Sequence, residues 1–181
     1  MAHHGHHQHH LIPYRFCPRC GGALGRRVIK VNEPERLVCE KCDFIFYLDP
    51  KVVAGTIFTI DDEVVLLRRG IEPAMGQWVF PGGYVDRGES AAEAAIRETR
   101  EESDLEVTVR QLLGVYSYSR SPNIIIVYAA EVLGGKLGAG DESVEAATFP
   151  VSRIPWDELA FPSTAEALRD FAHLYYPAEM C

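Results

Sequence analysis

Two groups of residues in this chain have the types and spacing that chemistry requires. Glu98, Glu101 and Glu102 stand at i, i+3 and i+4. On a helix turning roughly 100° per residue they fall within one arc. Like charges that close together cost helix stability. A hard divalent cation offsets the cost, because Mg²⁺ and Mn²⁺ prefer oxygen ligands. A solvated acidic face is the competing reading, and Glu-x-x-Glu-Glu by itself does not choose between the two. The second group is Cys17-Pro18-Arg19-Cys20 and Cys39-Glu40-Lys41-Cys42, two pairs separated by 18 residues. That is the two-knuckle spacing of a four-thiolate Zn²⁺ site. Four protein ligands leave no open position on the metal, so this zinc is expected to be structural.

The neighbours of the glutamates favour the metal reading. Glu89 precedes the cluster, Arg97 is a cation able to brace it, and Pro81-Gly82-Gly83 permits close backbone approach. Residues 90–103 read as a helix, with Ala92, Ala95, Ile96 and Thr99 at helical spacing and Ser90 near the cap. Residues 52–60 and 63–69 read as two β-branched strands joined at Asp61-Asp62 in a hairpin. Further strands are expected over 105–118, 124–132 and 144–149, and a closing helix over 164–176. Residues 134–140 (GGKLGAG) read as a flexible loop. Strands alternating with two helices indicate an α/β layered domain.

Composition sets the outer limits. The 181 residues hold one ordinary domain plus a small module. We divide them into a tail (1–12), a cysteine module (13–48) and a main domain (49–181). The first ten residues, MAHHGHHQHH, read as an expression tag or disordered tail, with a native metal-handling tract as the alternative. No apolar run reaches the roughly 18 residues that span a bilayer. Paired Cys-x-x-Cys motifs are better explained by metal than by disulfides, which points to a reducing, cytoplasmic compartment. Cys181 is given no role. The net charge of -8 argues against a broad nucleic-acid-binding surface. It leaves an anionic ligand open, since bound metal reverses the sign of a carboxylate-lined site.

Residues 83–105 (GYVDRGESAAEAAIRETREESDL) resemble the Nudix box, Gly-x5-Glu-x7-Arg-Glu-U-x-Glu-Glu-x-Gly-U, with U apolar. Gly83, Glu89, Arg97, Glu98, Glu101, Glu102 and Leu105 fall on the pattern in register. Thr99 takes an apolar slot, and Asp104 replaces the second glycine, where a left-handed residue would close the helix. The cysteine pairs, Asp49-Pro50-Lys51, Trp78, Asp141-Glu142-Ser143 and Leu159-Ala160-Phe161 extend the likeness to zinc-ribbon members of the superfamily. Over residues 14–176 the chain is most similar to plastid-type FAD and ADP-ribose pyrophosphatases. NADH pyrophosphatases carry a Ser-Gln-Pro-Trp-Pro-Phe-Pro array that is absent, the chain having instead Tyr116-Ser117-Tyr118-Ser119-Arg120-Ser121-Pro122.

The resemblance implies a Nudix α/β/α sandwich with a mixed sheet, preceded by a small four-cysteine zinc ribbon. It implies a hydrolase that cleaves the pyrophosphate bond of a nucleoside diphosphate linked to another moiety. Mg²⁺ or Mn²⁺ would lie on Glu98, Glu101 and Glu102, Zn²⁺ on Cys17, Cys20, Cys39 and Cys42. Arg97 would brace the carboxylates through Glu89, and Glu142, on a later loop, is the preferred general base. Tyr116, Tyr118 and Phe161 are candidates to stack on a base or flavin ring, although an aromatic in such a strand is more often core. ADP-ribose or FAD ranks ahead of NADH, nucleoside triphosphates and capped RNA. A homodimer is common among similar pyrophosphatases. Two readings of other classes compete: a catalytically silent ligand sensor, and a ribbon acting as nucleic-acid adaptor through Arg15, Arg19, Arg26, Arg27 and Lys30.

Overall fold

The structure is a computed structural model that describes residues 14–119 and 121–179. The His-rich start, Arg120 and Cys181 lie outside the described residues. The chain divides into two compact units, the first closing at Asp49 and the second opening at Pro50.

The first unit is a three-stranded antiparallel sheet of β1 (Leu24–Arg27), β2 (Arg36–Cys39) and β3 (Ile45–Phe46), in that order. Its buried apolar residues are Cys17, Val38 and Cys39. So small a core cannot hold a fold by apolar burial, and the cysteines must contribute by other means.

In the second unit, β4 (Lys51–Ile57) pairs in parallel with β10 (Asn123–Gly135). β9 (Leu105–Ser117) and β8 (Gly82–Tyr84) add antiparallel, giving a mixed sheet of order β8-β4-β10-β9. A second sheet joins β11 (Ser143–Phe149), β6 (Glu63–Arg69) and β5 (Thr59–Ile60), with β7 (Trp78–Val79) beside β6. The strand expected over 52–60 is therefore two strands. The chain leaves one sheet at the fully buried Phe58 and enters the other. The hairpin itself is where the sequence put it. Asp61 and Asp62 have φ of 49° and 64°, as the primed turns that match strand twist require.

Alternation along the strands decides which layer each helix covers. Val127 and Ala129 join Ile57, Leu66 and the Leu168 and Phe171 side chains of α2 (Pro162–Tyr175) in one cluster. Tyr128 and Ala54 pack instead with Ala94 and Ala95 of α1 (Ala91–Ser103). Opposite faces of the sheet thus meet different helices, which makes the α/β/α sandwich. Helix α2 begins two residues before the expected 164, because Pro162 is suited to the first turn.

Both ends of α1 are fixed locally. Ser90 Oγ accepts the Glu93 N–H at 3.2 Å, and the Glu93 carboxylate accepts the Ser90 N–H at 2.7 Å, a full capping box. Asp104 closes the helix at φ 57°, so the turn survives without glycine. The loop after β10 lies on this same end: Gly138 N–H donates to the Ser103 carbonyl (3.0 Å) and Gly140 N–H to that of Glu102 (2.9 Å). A side chain at Gly140 would collide with the Glu101 carbonyl. Of the glycines read in the sequence as a flexible loop, Gly134 and Gly135 end β10, and Gly135, Gly138 and Gly140 lie where a Cβ would meet the end of α1 or Asp104.

Removing the Ser90 hydroxyl leaves the Glu93 N–H uncapped. Ser90→Ala should lower stability by about 1 kcal/mol and Ser90→Gly by only a few tenths, roughly. Thermal unfolding of the three proteins checks this, and equal midpoints would deny the cap its role.

Candidate active site and metal centre

The box helix and β8 meet at two glycines. Gly82 and Gly83 pair with Gly55 and Ala54 of β4, and a Cβ on Gly83 would lie 2.5 Å from both carboxylate oxygens of Glu98. Only glycine lets the Glu98 carboxylate sit there. Glu102 is anchored from the same strand, accepting the Gly82 N–H at 2.8 Å. Glu98, Glu101 and Glu102 all line one cavity of about 1000 Å³, and Glu142 lines it as well. In all, seven Asp and Glu residues contribute to its wall, against Arg69 as the one Lys or Arg among the described residues there.

Arg97 braces the carboxylates. Its guanidinium grips Glu89 with two bonds, Nη2 to Oε1 at 2.7 Å and Nε to Oε2 at 3.1 Å. Nη1 donates to Glu98 at 2.8 Å and to Glu101 at 3.1 Å, and Nη2 also reaches the Tyr84 carbonyl at 3.1 Å. The guanidinium, with an N–H from Asp86, holds Glu89 below the usual carboxylate range. Burial raises Glu98 despite Arg97. Burial likewise pushes Glu102 up to about 7, with Glu98 and Glu142 repelling its charge and the Gly82 N–H opposing the rise. The wall therefore carries more carboxylates than it can comfortably ionise. An all-oxygen donor set short of positive charge fits a hard divalent cation. Glu98 and Glu101 are turned to Arg97 and Glu102 to Gly82, so the three do not yet converge on one point.

In the first unit convergence is complete. The ligand atoms of Cys17, Cys20, Cys39 and Cys42 all lie within 4.8 Å of one another. Individual Sγ separations are 3.8 Å (Cys17 to Cys42), 3.5 Å (Cys20 to Cys39) and 3.3 Å (Cys20 to Cys42). A tetrahedron with Zn–S of about 2.3 Å has edges of about 3.8 Å. The N–H groups of Arg19 and Lys41 each point at a cysteine sulfur, at 3.4 Å. Burial alone would raise the Cys39 thiol, yet the N–H groups of Lys41 and Cys42 bring it to about 7. Cys42 goes the other way: the Phe44 N–H lowers it, but Cys20, burial and the other thiols push it up to about 12. Without a cation all four cannot ionise together, and zinc fits the donor set.

Known families match both units. Residues 49–172 match the NUDIX domain and residues 15–48 the family described as Nudix N-terminal, a zinc ribbon. This chain belongs to the Nudix family. An ADP-ribose pyrophosphatase of Methanocaldococcus jannaschii is 41% identical over 145 residues, 78% of this chain and 80% of that protein. A NAD-capped RNA hydrolase of Pseudomonas fluorescens is 30% identical over 78% of this chain, which spans 50% of that longer protein. Among solved structures, a NUDIX hydrolase from Nitrosomonas europaea superposes with a TM-score of 0.84 at 32% identity, covering 90% of this chain and 94% of that one.

The Nudix box departs from its pattern at Thr99, and the structure supplies the reason. The Thr99 hydroxyl, fully buried, donates to the Ala95 carbonyl at 2.7 Å and sits 2.6 Å from Thr56 Oγ1 on β4. A polar residue in the apolar slot is thus satisfied and ties α1 to the sheet. The aromatic candidates separate. Tyr118 and Phe161 line the cavity; Tyr116 does not. Tyr116 belongs to the core, its hydroxyl donating to Asp170 of α2 at 2.7 Å, so the expectation that it stacks on substrate is corrected. Phe161 has the Arg69 guanidinium over its ring at 5.2 Å, which engages one face. Sequence reasoning missed Arg69, which closes strand β6, and the cavity-lining start of α2. Neither has a local signature, because the end of β6 and the start of α2 meet at the glutamates' cavity only in the tertiary fold.

Two outcomes follow. Gly83→Ala forces the Glu98 carboxylate aside, so hydrolysis should fall at least tenfold while the unfolding midpoint moves by only a few degrees; unchanged turnover would mean that Glu98 need not lie there. In the ribbon, Cys39→Ser should release zinc and unfold residues 14–48, leaving turnover of the Nudix domain at saturating Mg²⁺ largely intact. Zinc content, proteolytic susceptibility of the ribbon and turnover decide it, and lost turnover with a stable ribbon would instead indicate a catalytic zinc.

Proposed function

We propose that this Nudix domain hydrolyses the pyrophosphate bond of a nucleoside diphosphate linked to another moiety, with ADP-ribose or FAD as substrate. The observation that supports it best is the shared wall of Glu98, Glu101 and Glu102 under the Arg97 brace. When bound there, Mg²⁺ or Mn²⁺ supplies charge neutralisation at the phosphoryl oxygens and acidifies water. The rest is done by the chain. Arg97 keeps Glu89, Glu98 and Glu101 aligned by charge-assisted bonds. Gly82 and Gly83 hold Glu102 and Glu98 at the strand edge. Glu142 faces the same cavity and takes the proton of the attacking water. Attack at phosphorus gives a nucleoside monophosphate and a phosphorylated remainder.

ADP-ribose is favoured by the identity to the archaeal protein of that name, and FAD by the plastid-type resemblance. NAD-capped RNA or NADH is the second reading, favoured by the likeness to the Pseudomonas hydrolase. Its weakness is the missing proline-rich array after the box. In this reading the ribbon zinc is structural, the enzyme is cytoplasmic and a homodimer is its assembly. No helix among the described residues is long and apolar enough to cross a membrane.

The test is a screen of ADP-ribose, FAD, NADH, nucleoside triphosphates and capped RNA at equal concentrations, with Mg²⁺ or Mn²⁺. Wild type is compared with Glu101→Gln and Glu102→Gln. Each variant should lose roughly a hundredfold or more in rate, about 3 kcal/mol of transition-state stabilisation, and need more metal. Stability should hold or rise, since neutralising one of several like charges relieves repulsion. Wild-type rates and metal affinity in both variants would overturn the metal-site assignment. A clear preference for NADH or triphosphates would overturn the substrate ranking.

A further inference from the structure

Beside its acidic wall, the cavity has a neutral floor formed by the mixed sheet. Residues paired across strands point to one face, so the register arranges them in rows. Tyr84 of β8 pairs with Val53 of β4, and Val53 with Ile125 of β10. All three line the cavity. The intervening Ala54 and Val85 pack toward α1 instead. In the next row toward the start of β4, Lys51 pairs with Asn123, and Asn123 lines the cavity together with Ser121. In the next row the other way, Gly55 pairs with Gly82, whose N–H holds Glu102.

Tyr84 is 56% exposed, so its ring is not there to fill the core. Its carbonyl accepts Arg97 Nη2 at 3.1 Å, and Lys51 Nζ stands 5.9 Å from its ring centroid. With Val53 and Ile125 it makes an apolar strip three strands wide, roughly 10 Å. Such a strip suits a fused aromatic ring and not a phosphate. Asn123 stands at its edge, its own N–H donating to Ser121 Oγ at 3.1 Å. The Asn123 carboxamide makes no hydrogen bond among the described residues. A carboxamide presents a donor and an acceptor side by side. Adenine returns the matching pattern with its amino group and the ring nitrogen beside it. From the Asn123 row to the Gly82 row is four residues along β4, about 13 Å at ~3.3 Å per residue. That leaves room for a ring and a sugar between Asn123 and a phosphate at the glutamates.

We propose that the strip of Tyr84, Val53 and Ile125 is the platform for the substrate's adenine and that Asn123 reads the edge of that ring. This rests on the reading of the cavity as the site of a nucleoside diphosphate derivative. It adds where the adenosine half lies, on the mixed sheet toward the starts of β4 and β10. The Asn123 amide N–H donates to an adenine ring nitrogen, and the adenine amino group donates to the Asn123 carbonyl. Apolar contact with the strip holds any flat ring, whereas the paired edge discriminates, because a ring without the amino group leaves the Asn123 carbonyl unpaired.

The closing experiment uses the full chain with its zinc, in wild type, Asn123→Leu, Tyr84→Ala and Tyr84→Phe. Calorimetry with Mg²⁺ measures binding of three probes: AMP, purine riboside 5′-monophosphate, which lacks the amino group, and ribose 5-phosphate, which lacks the ring. Wild type should bind them in that order, each step about tenfold. Asn123→Leu should bind AMP no more tightly than purine riboside monophosphate, with ribose 5-phosphate unchanged. Tyr84→Ala should bring both ring-bearing probes toward ribose 5-phosphate, and Tyr84→Phe should restore them. In turnover of ADP-ribose, Asn123→Leu should raise KM about tenfold, more than it lowers kcat. A wild type that binds AMP no more tightly than ribose 5-phosphate overturns the platform. An Asn123→Leu protein that still prefers AMP to purine riboside monophosphate overturns the role of Asn123. Failure of the function itself would look different: no turnover of any diphosphate by wild type, with the order of the three probes and its collapse in the variants intact.

Discussion

Three glutamates crowded on one arc of a helix repel each other, and the Arg97 guanidinium is what offsets that repulsion within the chain. A lysine in its place would carry the same charge but could not grip Glu89 with two parallel bonds while reaching Glu98, Glu101 and the Tyr84 carbonyl. Those five bonds connect the loop before the helix, the helix and strand β8, so the brace fixes the helix in azimuth as well as in charge. Glu102 is the member left outside its reach. It is also the one that burial drives furthest toward neutrality, and its partner is a backbone N–H instead of a cation. The demand for positive charge is therefore sharpest at Glu102, on the side of the cluster away from Arg97.

Backbone proximity is the second constraint, and it explains the glycines. Gly83 yields its Cβ volume to the Glu98 carboxylate, and Gly82 could not carry one without a contact of 2.7 Å to the Ala54 carbonyl. Gly140 yields its volume to the carbonyl end of α1. Since Asp141 and Glu142 follow directly, the helix that carries Glu101 and Glu102 also fixes the height at which Glu142 enters the cavity. The Gly70 N–H secures Glu142 from the other side through its carbonyl, at 2.7 Å. Acid residues far apart in sequence are thus brought to one cavity by backbone bonds from the loop to α1 and to Gly70.

This is why the box was legible in the sequence and the rest of the site was not. Helical spacing, the Ser90 cap and the Asp104 turn are local properties, each decided within four or five residues, so residues 90–104 could be read with their chemistry. The split at Phe58 is decided by which sheet captures each half of a continuous β-branched run, a tertiary choice with no local signal. Tyr116 and Tyr118 have the same side-chain type two residues apart and touch the same core cluster, yet Tyr116 is held by Asp170 of α2 and Tyr118 alone reaches the cavity. Composition misled at Gly135, Gly138 and Gly140, where the missing side chain reflects contact distance to the end of α1 and Asp104. Thr99 shows the opposite case. It was a departure from a pattern whose meaning, a hydroxyl shared with Thr56, depends on a strand 43 residues away.

Taken together, the cavity is polarised between the two helices that line it. One wall gathers carboxylates at the C-terminal half of α1, where the helix dipole is unfavourable to them. The other presents the N-terminal turn of α2, where it favours an anion. A fold chosen for stability alone would not gather carboxylates at a helix C-terminus, where the buried Glu102 is costly to ionise. Local choices that contradict stability tend to mark functional sites, and Glu102 lines the same cavity as Glu98, Glu101 and Glu142.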